Sequence, residues 1–160
     1  MSLGRDRLVG KWGIVDVADA VQSVLKLSES GLIDVKRAVI TGGSAGGYTV
    51  LASLACPPPG VKNDVFAAGT SSFGVSDLRK LAEFTHKFES RYLEKLLGGT
   101  PEEIPEVYKE RSPVFNADRI VSPLLVRLFE FYCTCWYLVN NRSSKAPLMR
   151  LYRPSKRKIS

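Results

Sequence analysis

With 160 residues, 44% of them hydrophobic and 24% charged, the chain is long enough for one domain that buries roughly two thirds of its unfolded surface, and its composition excludes disordered and collagen-like classes. The net charge of +7 hints at nucleic acid only until it is located: Arg142, Lys145, Arg150, Arg153, Lys156, Arg157 and Lys158 all follow Asn140, and the sixteen basic residues before them are matched by sixteen acidic ones. Three cysteines (Cys56, Cys133, Cys135) and a single histidine, His86, make neither a disulfide framework nor a metal box, so no metal or cofactor is expected and a reducing, cytoplasmic setting is the default.

Met1 to Gly13 is polar and Gly-punctuated, and reads as a loop with no apolar leader segment. Ile14, Val17, Ala18, Val21, Val24 and Leu25 then recur at helical spacing, with Asp16 and Asp19 as a capping pair and Gly31 as the stop. Arg37-Ala38-Val39-Ile40-Thr41 is β-branched and apolar enough for a buried strand. A helix follows over Gly47 to Ala55 and must end at Pro57-Pro58-Pro59-Gly60. Val65 to Ser71 reads as a second buried strand. Ser76 caps a charged amphipathic segment from Asp77 to about Leu97, closed by Gly98-Gly99. Thr100-Pro101-Glu102-Glu103 has the cap, the N1 proline and the N3 acid of another helix start, and Pro123 to Val126 opens a further strand. Helices alternating with strands predict an α/β domain, a parallel sheet covered by helices.

Between the first strand and its helix lies Gly42-Gly43-Ser44-Ala45-Gly46. Strand, G-x-S-x-G and helix together are the context of a nucleophile elbow, a tight turn that exposes a serine hydroxyl in a strained backbone conformation. Gly42 and Gly46 are expected to lack β-carbons because strand and helix approach closely there. Ser44 is the candidate nucleophile, and the Ala45 N–H, at the helix start, is the candidate donor to the oxyanion formed when Ser44 attacks a carbonyl.

The stretches Gly10 to Asp19, Gly31-Leu32-Ile33-Asp34 and Ile40 to Tyr48 resemble the catalytic domain of the prolyl oligopeptidase family of serine peptidases, of the dipeptidyl-aminopeptidase or acylaminoacyl-peptidase type. Phe66 to Gly69, Gly74 to Leu78, Thr85 to Tyr92 and Arg111-Ser112-Pro113 extend the match in the same order, from about Gly10 to Val126. The resemblance implies a partial α/β-hydrolase fold, short peptides as substrates, and a Ser, Asp, His triad in that chain order, with Ser44 and Ala45 matching the nucleophile and first oxyanion donor. It also implies a Gly-x-x-Asp turn after the strand Ser122 to Val126 and a later histidine. The sequence instead continues Arg127-Leu128-Phe129-Glu130-Phe131-Tyr132 with no histidine beyond it. The expectation is therefore a partial catalytic domain over residues 1–126, a divergent, poorly ordered basic tail over 127–160, and a chain that is weakly active or inactive by itself.

Other candidates are weaker. His86 lies in the charged segment Glu83-Phe84-Thr85-His86-Lys87 and matches a family position that is not the base; a surface or lid role suits it better. Asp64 and Asp77 precede it in an order a triad permits, but Asp77 is explained by a helix start. Glu130 stands near where the missing acid would come. Trp12 and Tyr48 could border a pocket, although aromatics more often pack in the core. Glu89 and Arg91 could bind a peptide terminus, though a solvated helix face explains them. Lys156-Arg157-Lys158 is a short basic cluster of the kind read as a localisation or nucleic-acid patch, and solvation suffices for it. Leu124 to Val139 is short and interrupted by Arg127 and Glu130, which argues against a membrane span. Two readings of another kind remain: an inactive chain that binds partners, itself included, through an uncovered sheet, and an esterase-like hydrolase using the same elbow.

Overall fold

The computed structural model describes residues 3–84, 87–130, 133–139 and 150–152. The elements are α1 (Leu3–Leu8), α2 (Val15–Glu29), β1 (Val39–Gly43), α3 (Ala45–Ala55), β2 (Ala68–Ser72), α4 (Leu78–Phe84), α5 (Lys87–Leu97), α6 (Pro105–Glu110), β3 (Leu124–Glu130), β4 (Cys133–Val139) and β5 (Arg150–Tyr152). They build one sheet in the order β1-β2-β3-β4-β5. The first three strands are parallel, with Ile40 beside Gly69 and Gly69 beside Leu124; β4 and β5 add to β3 antiparallel.

Helix α3 organises the core. From Gly47 to Ala55 every residue but Thr49 is buried, because α3 lies between the sheet on one side and α2 on the other. A helix apolar all round belongs in an interior. It can come this close because Gly69 on β2 has no side chain: Leu54 Cδ1 and Val50 Cγ1 occupy the space a β-carbon would need. Helix α2 turns Val17 and Val21 toward α3 and exposes its charged face.

Several expectations change. Residues before Gly13 are not all loop: α1 forms and packs on α2, with Arg7 paired to Asp19 at 3.2 Å. Asp19 is therefore no cap, and Asp16 reaches back to the Gly13 N–H at 2.7 Å. The strand expected over Arg37 to Thr41 starts at Val39, and it is not buried; Val39 is 66% exposed, and Thr41 and Gly43 are exposed too. Helix α3 covers one face of β1 only, and among the described residues no strand lies outside β1. Val65 and Phe66 are buried, yet they precede β2, which begins at Ala68. The cap of α4 is Asp77 rather than Ser76: its carboxylate accepts from the N–H groups of Arg79 (3.0 Å) and Lys80 (3.1 Å). Thr100 and Glu103 do form a reciprocal capping pair, 2.9 and 3.2 Å, but the helix begins only at Pro105. Proline lacks the N–H that would have carried the first turn onward, so the box closes a single isolated turn.

The boundary expected at Val126 falls inside β3, which runs on to Glu130. Beyond it, β4 pairs with the whole of β3, from Glu130 opposite Cys133 to Leu124 opposite Val139. The rest of the expected tail, including Lys156, Arg157 and Lys158, lies outside the described residues, as does His86. Among the described residues no helix is long and apolar enough to cross a membrane.

Candidate active site

Ser44 is exposed at the turn between β1 and α3, with φ 54° and ψ −119°. A non-glycine residue in that region costs about 1–3 kcal/mol and persists only where its surroundings over-determine it. They do here. The Ser44 N–H donates to Ser72 O at the end of β2 (2.9 Å), and its own carbonyl accepts the first intrahelical bond from Tyr48 N (3.0 Å). A β-carbon on Gly42 would collide with the carbonyl of Gly46, so the last turn of β1 and the first of α3 touch backbone to backbone. Gly46 behaves differently from the expectation: a β-carbon there would meet nothing within 4 Å. The second tight glycine is Gly47, which lies against Gly74; the Ser71 hydroxyl, fully buried, donates to Gly47 O at 3.1 Å and fills the corner.

Beneath the turn, Tyr48 is fully buried and packs against Trp12, with ring centres 4.5 Å apart and planes tilted by 44°. Its hydroxyl donates to Arg111 O (3.0 Å), and Arg111 Nη1 donates to the carbonyls of Gly10 and Trp12 (both 3.1 Å). Asp16 accepts from Gly13 N and from the Thr49 hydroxyl (2.9 Å), tying the start of α2 to the start of α3. Burial, reinforced by the Asp16 carboxylate, pushes the Tyr48 phenol far above its ordinary value. Trp12 and Tyr48 are thus core residues that brace the elbow from below.

Ala45 is the first residue of α3. Asp77 caps α4. Asp64 lines a cavity of about 740 Å³ with Lys36, Lys62, Phe66, Val121 and Ser122. All of these precede β1, β2 or β3, so the cavity opens at the amino ends of the strands, the opposite end of the sheet from Ser44. Asp64 is therefore not brought to the serine. Glu89 lies on α5 and Glu130 ends β3, their side chains outside the described ones, while Arg91 is exposed on α5. No cluster of His, Cys, Asp or Glu suited to a metal occurs among the described residues.

Two residues at the site escape sequence reading. Phe73, directly after β2, has φ 56°, and the Arg127 guanidinium lies 5.2 Å from the centre of its ring. Neither position carries a motif; positive φ on an aromatic residue has no sequence signal of its own.

A parallel strand, a glycine-bounded turn with a strained serine at its crest, and a buried helix behind it define an α/β-hydrolase elbow. The model of the prolyl oligopeptidase family matches residues 5–127, and the chain belongs to that family of peptidases. It is 33% identical over 115 residues to dipeptidyl aminopeptidase BIII of Pseudoxanthomonas mexicana and 30% identical over 125 residues to dipeptidyl peptidase family member 6 of Caenorhabditis elegans, covering 69% and 73% of this chain. It spans only 16% of the length of each. The fold is similar to part of a puromycin-hydrolyzing peptidase of Mycobacterium tuberculosis: TM-score 0.68 at 47% identity, over 75% of this chain and 17% of that one.

Proposed function

We propose that the chain carries the nucleophile segment of a serine peptidase acting on short peptides. Ser44 Oγ attacks the scissile carbonyl carbon while its proton passes to the departing amine. The Ala45 N–H donates to the developing oxyanion, and water then hydrolyses the acyl-serine to release acid and free hydroxyl. The observation that carries this reading is the backbone of Ser44, held at φ 54° on the crest of a strand-to-helix turn. The dipeptidyl aminopeptidase and puromycin-hydrolysing relatives support peptides as the substrate class. Of the triad, only the serine is proposed here. A serine without its base is a weak nucleophile, and loss of the base in such enzymes costs about 10⁶-fold in turnover. The chain alone is accordingly a slow enzyme.

A fluorophosphonate probe followed by peptide mapping tests this. The expected result is a slow adduct on Ser44 that Ser44→Ala abolishes; an adduct rate unchanged in Ser44→Ala would refute it. Turnover of a peptide anilide against a p-nitrophenyl ester separates a peptidase from an esterase-like hydrolase.

A second reading has its own observation. Edge strand β1 exposes Val39 and Thr41 on the uncovered face, which favours self-association through the sheet. Sedimentation equilibrium of the native chain and of Val39→Lys checks it: association that the lysine abolishes supports it, and a monomer in both cases refutes it.

A further inference from the structure

We infer that the cavity at the amino ends of the strands is a second binding site, one that takes a small phosphate monoester through Lys36 and Lys62. It does not rest on the nucleophile reading, because it lies at the opposite end of the sheet from Ser44.

Three segments meet there, each leading into one strand of the parallel set. Lys36 belongs to the single turn Val35–Arg37 ahead of β1, Lys62 to the stretch between α3 and β2, and Val121 and Ser122 to the approach to β3. Their backbones are pinned. The Asp34 carboxylate accepts from the Lys36 N–H at 2.9 Å, and the Ala38 N–H returns to Val35 O at 3.1 Å. Beside Lys62, the Asn63 amide donates to Leu54 O (3.4 Å) and to Arg119 O (3.0 Å), which ties that stretch to the end of α3 and to the residues before β3. The Ser122 hydroxyl donates to Phe66 O, and the Ala67 N–H to Ala38 O at 2.7 Å. The walls of the cavity are thus built by bonds that use neither lysine ammonium.

The two ammoniums are what the local structure leaves over. Among the described residues neither Lys36 nor Lys62 has an ion-pair partner, and Asp64 on the same wall pairs with neither of them, whereas Lys26 closes on Glu29 at 2.8 Å. An exposed lysine is ordinarily only solvated. These two differ in converging, from separate segments, on one recess of about 740 Å³ with Phe66, Ala67 and Val121 in its wall. That volume is within the range of small-molecule sites, about 300–1,000 Å³. Beside an apolar wall the effective dielectric is below that of water, so a guest anion gains more from each cation there than it would at an open surface. Two point charges suit a compact dianion, which a phosphate monoester nearly is at neutral pH; a planar carboxylate is served better by the fork of an arginine, and none is among the residues lining this cavity. The group esterified to the phosphate then lies against Phe66, Ala67 and Val121. Asp64 sets the upper limit on charge: its carboxylate repels a second phosphate and accepts from a hydroxyl or amine, so the site selects a monophosphate over a polyanion.

The test titrates the full chain with phenyl phosphate at low salt, following the amide resonances of Lys36, Lys62, Ala67 and Ser122, with Ser44 and Ala45 as the distant reference. Saturable shifts are expected at the cavity and not at the elbow. Affinity is expected to fall about tenfold in Lys36→Gln and in Lys62→Gln and to rise about threefold in Asp64→Asn. It should stay unchanged in Lys80→Gln, which removes an exposed lysine of α4. Benzoate, with the same ring on a carboxylate, and inorganic phosphate, with no ring, should each bind more weakly than phenyl phosphate. The absence of saturable shifts at the cavity overturns the inference, as do shifts centred on Ser44 and Ala45 or an affinity that both lysine variants leave intact. Benzoate or inorganic phosphate binding as tightly as phenyl phosphate overturns the assignment to a phosphate monoester.

Discussion

The two outer glycines of the elbow look equivalent in the sequence and are not equivalent in the structure, and that difference can be measured. In Gly42→Ala the new methyl meets the carbonyl group of Gly46, backbone against backbone, with no side chain able to move aside. Strand β1 and helix α3 must then separate, and overpacking of this kind costs about 3 kcal/mol, the upper end of the usual range. In Gly46→Ala the methyl enters open space, and the residue sits in the first turn of α3 without a positive φ. Replacing a helical glycine by alanine there is worth about 1 kcal/mol of added stability. For a chain of this size these figures correspond to a melting temperature lowered by about 6–12 °C in the first variant and raised by about 2–4 °C in the second. Urea unfolding followed by tryptophan fluorescence, with Trp12 packed against Tyr48 as a reporter within the core and Trp136 replaced by Phe in every variant, gives both stability differences from the transition midpoints. A Gly42→Ala variant as stable as the parent, or a Gly46→Ala variant as damaged as Gly42→Ala, would refute the packing argument.

Tyr48→Phe removes the donor to Arg111 O and is expected to cost about 1–2 kcal/mol at neutral pH by chemical denaturation. It also changes the alkaline limb: the folded phenol ionises well above the ordinary value of 10.0, so its contribution is complete below that pH and is lost above it, by about 1.4 kcal/mol per pH unit. Stability of the parent should therefore fall more steeply above pH 10 than that of Tyr48→Phe, which keeps a smaller slope because burial also raises Tyr108; parallel curves would contradict this. Ser44→Gly relieves the strained backbone and is expected to gain about 1 kcal/mol after the entropy cost of glycine, while abolishing fluorophosphonate labelling. No gain in melting temperature would mean that the turn stores no strain.

What the sequence makes legible follows from how local the causes are. The elbow is visible because Gly42, Ser44 and the apolar run after Gly47 act within one supersecondary unit, and helix α2 because its apolar spacing survives packing unchanged. The exposure of β1 is hidden, since Val39-Ile40-Thr41 has the composition of a buried strand and only the absence of a covering layer among the described residues decides otherwise. Pro105 illustrates a different failure. The capping signal at Thr100 is correct and forms, yet a residue five positions later cancels the helix it announces. Arg127 reads in the sequence only as an interruption of an apolar stretch; the register Ser72 to Arg127 and the backbone of Phe73 are what put its guanidinium over that ring.

The elbow draws its support from three separate parts of the chain. Trp12, Gly13 and Asp16 hold α3 from the side of α2; Arg111 clamps Tyr48 from beyond α6; Ser71 and Gly74 close on Gly47 from the end of β2. Every one of these lies within the segment that matches the family. The strained serine is thus fixed by contacts internal to that segment and does not depend on a base or an acid to hold its shape. Geometry of the proposed nucleophile and competence of a triad are separable properties, the first a matter of backbone packing and the second of where a histidine is delivered. Removing Arg111 or Ser71 should therefore lower the rate at which Ser44 takes a neutral probe, and an unchanged labelling rate in both variants would contradict this.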